Sequence, residues 1–334
     1  MVWIFSYSKN DRTIKSVQEW IYLMKKKSIV SVLHQDYIEL IKIIETPDSK
    51  ECIIRINEKT LNTKEIESIW FKGGSVELID FIRQDKAKNQ LISFKDNLRY
   101  YLSAYSTAKL EVVLNVLSKK KVLGANLLGR FNKINALSLA KDVGLSIPPT
   151  IVTGNRKDIE VFVKTYGDLV CKSLDLNFDY YDVHDESWFH SYTTNFSIED
   201  LEKMPDNFAI SAFQKKIEKK YEIRTFYLNN KCYSMAIFSQ LNSKTMIDYR
   251  RYDSEKMNRI VPYKLPLSIK HKVVAFMKRA NLKTGSIDLI KSNKNEFVFL
   301  EVNPIGQFGY LSGNCNYYLE KEIAMHLTNN QNEK

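Results

Sequence analysis

Near the carboxyl end, in FVFLEVNPIGQFGY, Glu301 and Asn303 stand two positions apart inside a run of strand-forming residues. Side chains at i and i+2 of a strand leave the same face, so these oxygen-bearing groups project together, while Val298, Leu300 and Val302 are expected to point the other way. Alternation alone equally describes the wet face of a half-buried strand. The neighbourhood adds more. GSIDLIKSNKNEFVFLEVN reads as a hairpin turning at SNKN, which brings Asp288 onto the strand preceding Glu301 and Asn303. Three oxygen ligands on adjacent strands, with no His or Cys nearby, suit a hard cation such as magnesium better than zinc. Magnesium keeps waters and shares substrate phosphates, so phosphate-binding cations are expected upstream. Lys133 opens a helix after a glycine-containing loop, and Lys172 interrupts the apolar strand DLVCKSL. Either can project a point charge toward phosphate, and either taken singly reads as a surface lysine.

The elements that must position these residues follow from periodicity. VWIF, SIVSVL, ECIIRIN and ESIWFKG read as strands, and Val17, Trp20, Ile21 and Met24 recur at helical steps between the first two. This alternation predicts a small open α/β domain. From Asn89 to Lys121 the pattern is helical, with Leu91, Leu98, Leu102, Tyr105, Leu110, Leu114 and Leu117 as an apolar stripe. It closes at KKKVLGAN, where last-turn lysines and Gly124 suit a helix end and a domain boundary.

NKINALSLAKDVGLSIPPT predicts a helix burying Ile134, Leu137, Leu139 and Val143 and stopping at Gly144. After AISAFQKKI come strands at YEIRTFYL, KCYSMAIFSQ and TMIDYRRY, the first two joined by an Asn229-Asn230 turn. SIKHKVVAFMKRANL is an amphipathic helix through Ile269, Val273, Phe276 and Met277. Residues 174–200 are polar, aromatic and acidic without a clear period.

Length and composition set outer limits. The 334 residues allow two or three domains, and 44% hydrophobic content is ordinary for a globular chain. No run approaches the roughly 20 apolar residues of a membrane span, and MVWIFSYSKNDR inverts the charge order of a secretory signal, so a cytoplasmic location is expected. Cys52, Cys171, Cys232 and Cys315 form no CxxC pair, which argues against a disulfide framework or a zinc site. A formal charge of +11 favours an anionic partner. The lysine patches accompany no recognisable nucleic-acid module, so a solvated face accounts for most of them.

The ordered set NKINALSLAKDVGLSIPPT, LVCKSL, FQKKIEKKYEIR, TGSIDLI and FLEVNPIGQ resembles the ATP-grasp ligase superfamily over roughly the last two-thirds of the chain. DLI followed by LEVNP is its most specific part. IWFKGG, YEIRTF, MIDYRRY and EVNPIGQFGYLSGNCNYYLEKEIA are similar to graspetide synthetases of the microviridin type, in particular grasp-with-spasm peptide maturases. The resemblance implies an α/β (α+β) ATP-grasp fold: an N-terminal pre-ATP-grasp domain at 1–123, a central subdomain at 124–213, and a C-terminal antiparallel-sheet subdomain at 214–334. It implies ATP and magnesium as cofactors, with Lys133 and Lys172 on nucleotide phosphates. Gln214, Lys215, Lys216 and Ile217 would form the hinge against adenine, and Glu222 would bind the ribose hydroxyls. Asp288, Glu301 and Asn303 match magnesium ligands, while Arg224 and Arg250 match basic residues near the transferred phosphate and substrate carboxylate. For both arginines a structural ion pair on an antiparallel sheet is the competing reading.

Two departures stand out. KSLDLNFDYYDVHDESW lacks the glycine-rich phosphate loop of many relatives, shifting charge neutralisation toward lysines, arginines and metal; Lys72-Gly73 replaces paired basic residues after the first-domain tryptophan.

The implied activity is ATP-dependent macrocyclisation of a ribosomally made precursor peptide with a leader and an acidic, Thr/Ser-rich core. Asp or Glu side chains become acyl phosphates, captured by Ser/Thr as esters or by Lys as amides. Asp175–Asp200 is a candidate peptide-contact region, or an ordinary ordered loop. Nucleic acid and membrane are not expected partners, and a homodimer is left open. An ATP-grasp ligase adding an amino acid to a small molecule or protein tail is the nearest alternative. A peptide-binding module without catalysis and a nucleic-acid binder are more distant ones.

Overall fold

The computed structural model describes residues 1–33, 36, 38–74, 76, 96–124, 132–172, 174, 179–182, 187–190, 193–241 and 257–329. The chain divides into two compact units, Met1–Arg130 with Tyr318–Lys334, and Phe131–Tyr317. The first begins β1 (Val2–Ser6), α1 (Arg12–Lys25), β2 (Ile29–Leu33), β3 (Ile38–Thr46), β4 (Ser49–Ile56), β5 (Lys59–Asn62), β6 (Ser68–Lys72), α2 (Asp96–Ser118) and β7 (Lys121–Leu123).

The VWIFS and SIWFK segments are buried at every position because they are inner strands of the sheet β2-β1-β6-β7, whose neighbours all run parallel. Asp11 caps α1 by accepting from the Thr13 backbone N–H at 2.9 Å, and the helix buries Ile14, Val17 and Ile21. Trp20 instead lies beneath the Lys321 ammonium, 5.3 Å from the ring centre.

The antiparallel sheet β3-β4-β5 shares a core with α2, in which Val113, Val116 and Leu117 are buried. Tyr105, expected on the buried stripe, is exposed and stacks on Tyr101; Leu91 lies outside the described residues, as do the side chains of Leu98 and Leu102. The sequence ran this helix to Lys121; it ends at Ser118, and Lys121 pairs with Ser68 as the first residue of β7. Gly124 follows with φ +82°, where a Cβ would stand 2.2 Å from the Phe71 carbonyl oxygen.

The second unit contains α3 (Lys133–Asp142), β8 (Thr150–Asn155), α4 (Arg156–Tyr166), β9 (Leu169–Lys172), β10 (Asp179–Asp182), β11 (Ser187–His190), β12 (Thr194–Phe196) and β13 (Asn207–Lys215). It continues with β14 (Lys219–Leu228), β15 (Lys231–Phe238), β16 (Arg259–Tyr263), α5 (Leu267–Arg279), β17 (Thr284–Ser292), β18 (Phe297–Asn303) and α6 (Gly309–Cys315). β10 and β11 form a separate antiparallel hairpin within 174–200.

Two sheets position the site. The first, β12-β9-β13-β8, carries α4 on one face, where Ile159 and Val163 pack with Leu169, Phe196 and Phe213. The alternate residues form two rows on the other face, Thr150–Gln214–Val170–Asn195 and Val152–Ala212–Lys172. The second is antiparallel, in the order β16-β15-β14-β17-β18. Phe276 of α5 packs on Phe299 beneath it, ring centres 4.9 Å apart.

The hairpin turn at Asn229-Asn230 forms as expected, both residues having positive φ, which asparagine tolerates. TMIDYRRY lies outside the described residues; the described edge strand is RIVPY, with Pro262 inside it. An edge tolerates a residue without an N–H because one side of the strand needs no partner.

Helix α3 is capped by Asn132 Oδ1, which accepts from the N–H groups of Ile134 and Asn135. Its buried residues are Ala136, Leu137 and Ala140, on the side that packs against β18; of the expected set Leu137 is buried, while Ile134, Leu139 and Val143 are only half-buried. The last helix, α7 (Leu319–Thr328), belongs to the first unit and packs on α1, although it follows β18 in the chain.

Candidate active site

A cavity of about 290 Å³ opens between the two sheets of the second unit. The four-stranded sheet and the chain leaving it supply Val170, Lys172, Asn195, Gln214, Lys215, Lys216 and Ile217. The five-stranded sheet supplies Lys219, Glu222, Asp288, Ile290, Leu300 and Glu301. Eight of the sequence-selected residues are thus brought together: Lys172, Gln214 to Ile217, Glu222, Asp288 and Glu301.

Strand register explains the acidic end. Arg224 on β14, Asp288 on β17 and Glu301 on β18 are directly opposite one another in a single cross-strand row. Adjacent carboxylates repel, and Arg224 relieves this: its Nη1 donates to both Asp288 oxygens, at 3.0 and 3.1 Å. Both members of this ion pair are largely buried, with side chains 10% and 13% exposed. The competing reading of Arg224 as a partner in a sheet ion pair therefore describes its contact, and the contact lies at the site.

One expectation on β18 is corrected. The register shifts after Asp288, so that Leu289 faces Phe299 and Leu300 is the bulged residue without a partner. Leu300 consequently lines the cavity beside Glu301 instead of turning away, while Phe299 and Val302 are buried. Asn303 lies further along, opposite Ser286, and its Oδ1 accepts from the Ile305 N–H at 3.0 Å, which fixes its rotamer. Among the described residues no three His, Cys, Asp or Glu side chains converge. Asn303 is not among the cavity-lining residues; the donors the cavity offers a cation are the carboxylates of Asp288 and Glu301, hard oxygens of the kind magnesium takes.

At the other end, Gln214 is held in one orientation. The single proton of Thr150 Oγ1 goes to the Pro148 carbonyl at 2.9 Å, so the hydroxyl must accept from Gln214 Nε2 at 3.1 Å. Gln214 Oε1 is left buried with no hydrogen-bond partner among the described residues. The chain then crosses to the second sheet, anchored by Lys215 N–H on Pro149 O and Lys216 N–H on Asp168 O.

Glu222 is buried on β14, two residues before Arg224 and on the same face. Lys133 stands half-buried in the first turn of α3 and is not among the cavity-lining residues; Arg250 lies outside the described residues.

Sequence reasoning missed Ile290, Val170, Asn195 and Thr150. Ile290 was within reach, being two positions after Asp288 on the same strand face. Asn195 was not, since its short strand sits in a stretch without periodicity.

Burial pushes the thiols of Cys52, Cys171 and Cys315 above their usual range and that of Cys232 up to about 11. Among the described residues no helix is long and apolar enough to cross a membrane.

No family model matches the sequence, and no curated protein matches it either. Solved structures do. A RiPP-associated ATP-grasp ligase from Chryseobacterium gregarium, in complex with ADP and a leader and core peptide, superposes with a TM-score of 0.74 at 20% identity, over 98% of this chain and 96% of that one. The macrocyclase MdnC from Microcystis aeruginosa MRC, bound with precursor peptide MdnA, gives 0.71 at 24% identity over 98% and 99%. D-alanyl-alanine synthetase A from Vibrio cholerae gives 0.52 at 10% identity over 98% and 97%. The chain therefore has the ATP-grasp ligase fold, with an antiparallel sheet bearing the acidic row at its carboxyl-terminal side.

Proposed function

We propose that the chain is an ATP-dependent, ADP-forming ligase that closes rings in a ribosomally made precursor peptide. The observation that carries this reading is one cavity with a buried, unsatisfied acceptor at Gln214 and the carboxylates of Asp288 and Glu301 on its opposite sheet. Support for a peptide substrate comes from solved proteins of the same fold, one holding a leader and core peptide and one bound with a precursor peptide.

A carboxylate is a poor electrophile because it is anionic and would have to expel oxide. In the proposed reaction, a peptide Asp or Glu oxygen attacks the ATP γ-phosphorus, and the bond to ADP breaks. A Ser or Thr hydroxyl, or a Lys amine, then attacks the acyl carbon, loses its proton, and phosphate leaves. The peptide loses one water per ring.

Within this reading Lys172, with Lys133 as the second candidate, neutralises phosphate charge, and Arg224 meets the carboxylate or the transferred phosphoryl group. Gln214 to Ile217 receive the base, and Glu222 takes the ribose. Asp288, Glu301 and Asn303 would hold magnesium, whose bound charge screens the phosphate oxygens. Arg250 is proposed for the same region as Arg224. The segments 1–123, 124–213 and 214–334 are proposed as pre-ATP-grasp, central and carboxyl-terminal parts, and Asp175–Asp200 as a peptide-contact region. The reading includes a cytoplasmic location.

Gln214 makes a sharp prediction. A buried unpaired acceptor costs about 1–3 kcal/mol, which a 6-amino purine relieves and a 6-oxo purine aggravates. Gln214→Met should lower the preference for ATP over GTP by about tenfold or more, measured as the ratio of binding constants.

The reaction itself is tested by incubating the protein with ATP, magnesium and a neighbouring-frame peptide rich in Thr, Ser, Asp and Glu. A product lighter by one water per bond supports cyclisation. A product heavier by an added amino acid supports the alternative ligase. No nucleotide binding under magnesium-replete conditions overturns both.

A further inference from the structure

Glu222 is held more firmly than a carboxylate that only has to meet a ligand would require. Its Oε1 accepts from Ser239 Oγ at 2.8 Å and from Lys219 Nζ at 2.5 Å. Ser239 is fully buried, and the Lys219 and Glu222 side chains are 8% and 9% exposed. The two anchors come from different places. Lys219 opens β14 just after the chain crosses between the sheets. Ser239 follows β15 directly, in the short 3-10 turn Ser239–Leu241, two positions beyond Ile237, which pairs with Glu222.

A carboxylate on a strand has freedom about its side-chain torsions, and water in an open cavity would let it swing. Here one oxygen is tied from two directions, which uses its two lone-pair sites. Oε2 is then the oxygen left for a ligand, and its position is set by Ser239 and Lys219 before any ligand arrives. An acceptor fixed in place suits a vicinal diol, whose two hydroxyls must donate with little tolerance in direction.

We propose that Ser239 is a positioning residue for sugar recognition: with Lys219 it pins Glu222 Oε1 so that Oε2 takes the ribose hydroxyls of the nucleotide. This inference rests on the nucleotide reading of the cavity and adds to it a residue that contacts the sugar only through Glu222. Ser239 does not line the cavity, whereas Glu222, Lys219 and Gln240 do.

The test compares binding of ATP and 2′-deoxyATP, with magnesium, to the full chain and to Ser239→Ala and Ser239→Thr, with thermal unfolding of each variant as the fold control. The wild type is expected to favour ATP by about tenfold. Ser239→Ala should weaken ATP about fivefold while leaving 2′-deoxyATP nearly unchanged, so that the preference shrinks to about twofold. Ser239→Thr keeps the hydroxyl and should restore it. Equal weakening of both nucleotides, or undiminished preference in a folded Ser239→Ala protein, overturns the role of Ser239 and leaves the nucleotide reading standing. Failure of the wild type to bind either nucleotide overturns both.

Discussion

Replacing Asp288 with asparagine is expected to lower nucleotide turnover at least about a hundredfold and to make ATP affinity insensitive to magnesium. The reason lies in the row Arg224–Asp288–Glu301. Asparagine keeps the shape of aspartate and one oxygen but removes the charge, so the hard donor set is left with a single carboxylate. It also removes the charge facing Arg224 in a largely buried ion pair, and breaking such a pair from one side costs about 3–5 kcal/mol. Both effects are measurable separately. ATP titrations with and without magnesium read the cation site, and urea unfolding reads the lost pair. Wild-type magnesium dependence in a folded Asp288→Asn protein would remove Asp288 from the proposed ligand set. Unchanged stability would mean that the Arg224–Asp288 pair contributes little to holding the sheet together.

The second large effect is on stability. Phe276→Ala should cost about 3–5 kcal/mol, through lost transfer energy and the cavity left behind. Phe276 is fully buried on α5, its ring against Phe299, which precedes the bulged Leu300 on β18. With total stabilities of roughly 5–15 kcal/mol, that loss is a large fraction of what holds a domain folded. The urea midpoint should fall with little change in slope, and Phe276→Leu should recover most of it. A drop below about 1 kcal/mol would mean that α5 does not anchor the sheet as its packing indicates.

Much of the candidate site was legible because strand geometry is local. The two-residue spacing of Glu301 and Asn303, the polar SNKN turn and the Asn229-Asn230 turn each determine direction or register without reference to distant residues. Lys172 and Gln214 were legible as residues but not as neighbours. Their proximity depends on β9 and β13 pairing so that Lys172 faces Ala212 and Gln214 faces Val170. Leu300 defeated the alternation rule because a bulge inserts one residue on one strand only, a feature invisible until the partner strand is known. The end of α2 was misplaced because Lys119–Lys121 suits a helix terminus locally, while pairing with β6 claims Lys121 for a strand.

By itself the sequence determined the chemistry on offer: oxygen donors without His or Cys, lysines on a strand and a helix start, and the order of helices and strands along most of the chain. Those properties are written in residue type and in periods of two and 3.6, which short-range backbone geometry imposes. Only the tertiary structure decided that Arg224 sits on Asp288, that Ser239 reaches Glu222, and that α7 returns to α1. Each of these joins segments whose approach is set by burying whole sheets and helices against one another, and that free energy is spread over too many residues for any local pattern to record.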